Sequence, residues 1–272
     1  MEMPEFRPLG TGEVIRFSWD LYKRRFGSLI GVSLTLLAIP SLLQWLPGVG
    51  LMMSFLLLFA ELLAIGAFIR IVASHCVDLH FSAAEAIRLA WRQYGNMLLM
   101  VVVFGLAVAA TAAVMTMIGS AILAVVAPGF AAEVSSYGGD PLSMPAETLL
   151  PFLLWTLVMV LPAICLAMTW WVAPMGLTVE GTGAIPSLVR SWKLVLPNLW
   201  RTIKILLLAL LVVALPFLVI YRLFPYHWAV LALNVFGLPF SWVVATVLYL
   251  DLRVRSEGLD PERLTYDLTS GT

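Results

Sequence analysis

Long uncharged, apolar stretches alternate along the chain with short segments that hold its charged residues. The uncharged stretches are residues 26–60, 93–132, 148–179, 205–221 and 223–250. About 20 apolar residues in a helix cross the hydrocarbon core of a bilayer, where the backbone must satisfy its own hydrogen bonds. The first stretch is long enough for two crossings, and the turn residues Pro47, Gly48 and Gly50 divide it. The pattern therefore predicts six transmembrane helices, near residues 26–46, 51–71, 97–126, 149–177, 203–223 and 227–250.

The composition is typical of an integral membrane protein and excludes a soluble domain. Of the 272 residues, 61% are hydrophobic and 12% are charged, whereas about a quarter are charged in soluble proteins. Sixteen basic and sixteen acidic side chains give a net charge of zero. The chain thus lacks the overall basic field that nucleic-acid binding requires, and we expect no nucleic-acid partner.

The lysines and arginines indicate the orientation of the spans. Fifteen of the sixteen flank the ends that would share one side of the membrane, and only Arg222 lies on the other side. The long connection between the third and fourth spans, residues 128–148, has no cation and holds Glu133, Asp140 and Glu147. Because cytoplasmic loops are enriched in lysine and arginine, we expect both termini to be cytoplasmic.

An amphipathic stretch precedes each odd-numbered span. In the first stretch the apolar positions lie at helical spacing, and adding 72 or 173 to their numbers gives two more copies. The three sets are Ile15, Trp19, Tyr22 and Phe26; Ile87, Trp91, Tyr94 and Leu98; and Leu188, Trp192, Val195 and Leu199. The opposite face is polar in each copy and includes Arg16, Arg88 and Arg190. In the middle copy, Ser82 and Glu85 have the spacing of a capping box, which predicts a helix start.

The ends of the fourth and sixth spans also match each other. Thr169, Glu180 and Gly181 correspond to Thr246, Glu257 and Gly258 at a constant offset of 77. The sequence therefore predicts an all-α membrane domain over residues 1–272, built from three hairpin repeats that are each led by a cytoplasmic amphipathic helix. The repeats cover approximately residues 11–71, 82–177 and 184–250, and residues 251–272 form a cytoplasmic tail.

The amphipathic helices have two interpretations. Tryptophan favours the headgroup region and a basic face attracts anionic lipid, so Trp19, Trp91 and Trp192 with their arginines are candidates for contact with lipid or a partner. Alternatively, the helices anchor the bundle and set the angle of the following span.

Several segments carry a family resemblance. They are RPLG at 7–10, SWDLYKRRF at 18–26, RSWKL at 190–194, NLWR at 198–201 and LYLDLRVR at 248–255, followed by Glu257 and Gly258. In this order they resemble the six-span glycerophosphoryl diester phosphodiesterase membrane domain, over nearly the whole chain. The resemblance implies a multi-pass protein of a bacterial or archaeal cytoplasmic membrane. It implies no activity, because no segment offers the histidine, glutamate and metal-binding carboxylates that the hydrolase needs.

Glu61 and the prolines are the intramembrane candidates for function. An ionisable group inside a span suggests a proton, ion or substrate role, although a neutral Glu61 hydrogen-bonded to another helix, with Asn234 as partner, is the structural alternative. Prolines interrupt four spans, as in transporters with broken helices or as simple kinks. These prolines are Pro40, Pro162, Pro174, Pro216 and Pro239.

The sequence lacks the patterns of catalytic and cofactor sites. It has no phosphate-binding glycine loop, no metal-ligand spacing and no nucleophile elbow, so we expect no enzyme, cofactor or metal. The leading hypothesis is an accessory or scaffolding protein that organises membrane lipids or a larger membrane protein complex. The alternatives are a small-solute or lipid transporter with a pathway near Glu61, and the membrane half of a split phosphodiesterase.

Overall fold

The structure, a computed structural model, describes residues 7–138 and 144–270. In these ranges it is helical and contains no β-strand, and six helices are long and apolar enough to cross a membrane. The six spans predicted from the uncharged stretches are thereby confirmed. Asp140, which the sequence places in the loop after the third span, lies outside the described residues, as do the last two residues of the tail.

The helices follow one another through short connections. The first part of the chain contains α1 (Thr11–Arg24), α2 (Phe26–Ser33), α3 (Ile39–Leu43), α4 (Gly50–His75), α5 (Ala83–Arg92), α6 (Tyr94–Val126) and α7 (Pro128–Ser136). The second part contains α8 (Ala146–Trp170), α9 (Ala173–Glu180), α10 (Ala184–Val195), α11 (Leu199–Leu223), α12 (Tyr226–Ala232), α13 (Leu238–Glu257) and α14 (Pro261–Ser270).

Two spans contain a π-helical turn followed by proline. In the first span the turn Leu34–Ala38 joins α2 to α3 and precedes Pro40, and in the last span the turn Leu233–Gly237 joins α12 to α13 and precedes Pro239. Proline lacks an N–H group, and a local change to π geometry redistributes the hydrogen bonds that this loss disturbs. Each of these spans therefore remains helical through its proline.

The described residues form two compact units, one from residues up to Met100 together with those from Thr169 onward, and one from Val101 to Met168. In the first unit, the second half of α4 and most of α13 are buried against each other. Helix α1 packs on α13, and α5 packs on α4. The largest fully buried side chains are not all apolar, because Arg70, Arg253 and Tyr249 are among them.

The second unit contains most of α6, all of α7 and most of α8. Gly119 allows α8 to approach closely, since a Cβ atom there would collide with the sulfur of Met159. The Thr148 hydroxyl donates a hydrogen bond to the Glu133 carboxylate. This bond ties the end of α7 to the start of α8.

Gly66 allows α4 to pack closely against α5 and the start of α6 in the first unit. A Cβ atom there would lie 2.9 Å from Cβ of Ala90 and 3.1 Å from the sulfur of Met97. Overpacking of this kind costs about 1–3 kcal/mol, so we expect Gly66→Leu to lower the free energy of unfolding by that amount. The measurement is unfolding in mixed micelles with increasing SDS. Gly12→Leu is the control, because nothing lies within 4 Å of its Cβ position, and an equal loss in both variants would contradict the prediction.

Candidate functional site

Three helices of the first unit, α1, α5 and α10, stand directly before spans. Their N-cap residues are Gly10, Ser82 and Gly183. Ser82 lies 72 residues after Gly10, and Gly183 lies 173 residues after it. All three N-caps have the same extended backbone, with φ between -69° and -68° and ψ between 159° and 169°. The helices thus begin at corresponding positions of the three sequence stretches.

Each of these helices buries the residue before its tryptophan and exposes the indole. Ser18, Ala90 and Ser191 are buried. By contrast, Trp19 is 47% exposed, Trp91 is 64% exposed and Trp192 is 41% exposed. The small side chains allow each helix to pack tightly, and the same helical rotation turns each indole outward.

Neighbouring aromatic side chains hold two of the indoles. Trp19 stacks on Tyr22 at a centroid distance of 5.9 Å and meets the edge of Phe240 at 5.6 Å. Trp91 stacks on Tyr94 at 5.4 Å. These contacts restrict rotation of the rings while leaving one face of each open.

The three arginines of the sequence pattern differ in their surroundings. Arg16 and Arg88 are exposed. Arg190 is half-buried and its guanidinium binds two carboxylates, Glu180 at 2.6 Å and Glu257 at 2.9 Å. Its charge is therefore neutralised within the protein, whereas Arg16 and Arg88 point to the surroundings.

The start of α5 is held by a reciprocal cap. The backbone N–H of Ser82 donates to Oε2 of Glu85 at 2.9 Å, and the backbone N–H of Glu85 donates to Oγ of Ser82 at 3.3 Å. The Ser82 hydroxyl also donates to Oε2 of Glu85, at 2.8 Å. The hydrogen bonds from the backbone N–H and the hydroxyl of Ser82 favour the charged carboxylate and hold the pKa of Glu85 below its ordinary value of 4.5.

This lowered pKa predicts a pH dependence at α5. The cap stabilises the helix fully above the ordinary pKa, and its contribution is lost as pH falls through the lowered pKa of Glu85. We expect amide exchange across residues 83–92 to accelerate in acid relative to the Glu85→Gln variant at the same pH. The ratio of the two proteins' exchange rates, measured by mass spectrometry, removes the intrinsic pH effect. A ratio that is constant with pH would contradict the prediction.

Glu61 and Asn234 do not form the suggested pair. The Asn234 amide donates to Oγ of Ser41 at 2.9 Å, so it links the two spans that contain π-helical turns. Glu61 lies part-exposed in α4, and its carboxylate has no hydrogen bond or ion pair with any residue in the described ranges. The predicted pairing of Glu61 with Asn234 is therefore wrong. The π-helical turns of the first and last spans contact each other, and this contact brings Ser41 to Asn234.

Two ion-pair clusters were not predicted from the sequence. In the first, which we call the Asp251 cluster, the buried carboxylate of Asp251 binds Arg201 at 2.8 Å and Arg255 at 3.0 Å. It also accepts the backbone N–H of Leu9 at 2.7 Å. Both arginines donate to the carbonyl of Leu9 as well. The segment before α1 is thus fastened to α11 and α13.

The second group, the Arg253 cluster, surrounds a fully buried guanidinium. Arg253 binds Glu180 at 3.5 Å, Glu257 at 3.2 Å and Asp267 at 2.9 Å. The Tyr249 hydroxyl donates to Glu180. Helices α9, α13 and α14 therefore meet at one cation.

In the sequence, the feature that pointed to the Arg253 cluster was the match between the ends of the fourth and sixth spans. Gly181 and Gly258 both adopt the left-handed conformation, with φ of 67° and 63°, and each ends its helix directly after a glutamate. Those glutamates, Glu180 and Glu257, bind the same Arg190. The offset of 77 residues pointed to them, but it did not indicate that they share a cation.

The described ranges contain no group of three or more histidine, cysteine, aspartate or glutamate side chains that could hold a metal ion. Comparison with known proteins found no matching family model, no similar curated protein and no similar solved structure.

Proposed function

We propose that the chain is a non-catalytic, multi-pass protein of a bacterial or archaeal cytoplasmic membrane, and that it organises lipids or a partner complex. In this proposal it belongs to the glycerophosphoryl diester phosphodiesterase membrane-domain family without sharing its catalytic activity. Three hairpin repeats each begin with an amphipathic helix, α1, α5 or α10, that lies in the cytoplasmic interface.

One observation carries the proposal. Trp19, Trp91 and Trp192 are exposed on three separate helices, each beside a small side chain that is buried. A helix that served only to pack would bury its largest apolar side chain first, because the hydrophobic free energy grows with the apolar area removed from water. Exposed indoles at the start of a membrane span are suited to the headgroup region of a bilayer.

The repeat is supported by equivalent positions in the structure. The N-caps Gly10, Ser82 and Gly183 share one backbone conformation. The left-handed glycines Gly181 and Gly258 follow corresponding glutamates. Recurrent local conformations at constant offsets are what an internal repeat produces.

The proposed orientation predicts an active reporter in the connection between α7 and α8. Because residues 128–148 contain no lysine or arginine, this loop should face away from the cytoplasm. A fusion of alkaline phosphatase after Gly138 is expected to be enzymatically active, and one after His80, in the cation-flanked connection, is expected to be inactive. The reverse pattern of activities would show that the orientation of the spans is opposite to the one proposed.

The proposed function is tested by extracting the tagged protein directly into lipid-bilayer discs and identifying bound molecules by mass spectrometry. We expect a stoichiometric protein partner or an enriched class of anionic lipid. Changing Trp19, Trp91 and Trp192 together to alanine should abolish that enrichment. The control changes Trp45 and Trp228, which are exposed outside these three helices. Equal enrichment in the triple variant and the wild type would overturn the proposal.

A transport pathway near Glu61 is the second candidate. It is favoured by a part-exposed carboxylate inside a span that has no partner in the described ranges. The same discs test it, since a retained small solute that is lost in Glu61→Gln would support transport. Retention that does not depend on Glu61 would argue against this pathway.

A further inference from the structure

An elongated apolar groove lies in the first unit between α1, α11 and the last span. Its cavity volume is about 350 Å³, within the range of about 300–1,000 Å³ that is usual for ligand sites. Aromatic side chains form much of the wall, among them Trp19, Tyr22, Phe236 and Phe240. Aliphatic side chains of α11, including Val212 and Val213, form the opposite wall.

The two spans that line the groove have an irregular backbone or a proline beside it. Pro216 lies inside α11, and the last span changes to π geometry at Leu233–Gly237 beside it. A Cβ atom at Gly237 would lie 2.9 Å from Val213, so the last span and α11 are in direct contact at these two groove-lining residues. The Tyr22 hydroxyl donates to the Phe236 carbonyl at 3.2 Å and so fastens the first helix to the π-helical turn.

The groove runs along the spans. On α11 its lining extends from Val212 to Ile220, and on the last span from Phe240 back to Ala232. Eight residues of helix correspond to about 12 Å. Since the spans cross the bilayer, a long apolar groove parallel to them has the shape and direction of a lipid acyl chain. The surrounding medium at this depth is hydrocarbon, which supplies that occupant.

The end of the groove beside Trp19 is basic. Arg16 and Lys23 lie three residues before and four residues after Trp19, hence on its side of α1, and both are exposed. Lys204 is exposed on α11, two turns before Val212 on the same helical stripe, and has no ion pair in the described ranges. In the described part of the chain, the one ion pair of Lys23 is with Asp20, at 2.9 Å. A phosphate beside Trp19 would lie near Arg16 and Lys23 on α1, and Lys204 is a further cation on the helix that forms the opposite wall.

We propose that this groove binds one acyl chain of an anionic phospholipid, whose phosphate lies beside Trp19 and Lys204. The inference rests on the proposed function, because it names the lipid class and the place where one of the three tryptophan helices holds it. It differs from general enrichment of lipid around the protein, since a groove of this size binds one molecule with defined stoichiometry.

The test uses delipidated protein titrated with phosphatidylglycerol and, separately, with phosphatidylcholine, and native mass spectrometry counts the bound molecules. We expect one phosphatidylglycerol per chain. Val212→Trp fills the groove from an exposed position and should weaken its binding at least about tenfold. Leu211→Trp is the matched control, because Leu211 is exposed on the same turn but does not line the groove. Lys204→Glu should remove the preference for phosphatidylglycerol over phosphatidylcholine.

Each outcome separates the groove from the proposed function. Equal binding to Val212→Trp and Leu211→Trp would overturn the groove, and so would several weakly bound lipids in place of one. If the groove fails while the triple tryptophan variant still loses lipid enrichment in discs, the proposed function stands. If the groove binds lipid but the triple variant keeps its enrichment and partners, the proposed function fails independently. Thermal unfolding is measured for each variant as a control that the fold is retained.

Discussion

Replacing Asp251 with alanine is expected to lower the free energy of unfolding by about 3–5 kcal/mol, because it removes the only carboxylate in the Asp251 cluster. The side chain of Asp251 is 0% exposed, and it receives hydrogen bonds from Arg201, Arg255 and the backbone of Leu9. Without it, two guanidinium groups remain beside one carbonyl oxygen.

The magnitude should fall near the lower end of that range. The side chains of Arg201 and Arg255 are 20% and 29% exposed, so water reaches part of each cation once the carboxylate is gone. The buried N–H of Leu9 keeps no such access, and an unsatisfied buried donor costs about 1–3 kcal/mol by itself. The loss is therefore expected to include detachment of the segment before α1.

The measurement is the unfolding free energy in mixed micelles, with amide exchange at residues 7–24 as a local readout. Asp20→Ala is the control, because Asp20 forms a solvent-exposed ion pair with Lys23, and we expect no change in its unfolding midpoint. If Asp251→Ala were as stable as Asp20→Ala, the cluster would not contribute to stability as proposed.

Replacing Arg253 with methionine is expected to destabilise the protein by a similar amount, about 3–5 kcal/mol, and to release α14. Arg253 is 1% exposed and binds Glu180, Glu257 and Asp267. Methionine fills much of the volume but leaves Asp267 without the guanidinium it binds, while Glu180 and Glu257 keep Arg190 as their shared cation. Asp267 lies on α14, so the helix loses its shorter ionic contact with α13 and keeps the pair of the exposed Arg263 with Glu257, at 3.9 Å.

Release of α14 gives a readout that differs from global stability. Leu264 and Leu268 are fully buried, while Tyr266 on the same helix is 69% exposed. We expect chymotrypsin to cleave after Tyr266 faster in Arg253→Met than in wild type, since cleavage requires the helix to open. Arg16→Met serves as the control, because Arg16 is exposed.

A double-mutant cycle tests the pair directly. If Arg253 and Asp267 interact, the loss in the double variant Arg253→Met with Asp267→Leu should be smaller than the summed losses of the single variants. Strict additivity, together with an unchanged rate of cleavage after Tyr266, would refute the role of Arg253 in holding α14.

The candidate site was only partly predictable from the sequence. The tryptophan positions followed from helical periodicity, which depends on residues within a few turns, and all three helices begin where the repeated spacing places them. Their exposure depended on tertiary packing, since only the fold shows that Ser18, Ala90 and Ser191 occupy the buried positions beside them. The groove beside Trp19 was not predicted, because it forms between segments about 200 residues apart.

The prolines, too, were visible in the sequence, whereas the way each is accommodated depends on tertiary packing. Their presence in the spans was evident, but Pro40 and Pro239 are accommodated by π-helical turns and Pro216 by a continuous helix. Sequence spacing does not distinguish these solutions, because the choice depends on which neighbouring groups satisfy the disturbed backbone. Asn234 illustrates this, since its partner is Ser41, 193 residues away, and not Glu61.

The sequence by itself determined the number of spans, because an apolar bilayer requires a helical segment of minimum length and excludes charges from it. It also predicted a helix before each odd-numbered span. Only the tertiary structure decided which charges meet, since Asp251 binds Leu9, 242 residues before it, and Glu180 joins Arg253. Helical periodicity acts over a few residues, whereas these ion pairs arise when distant segments converge at the ends of the spans.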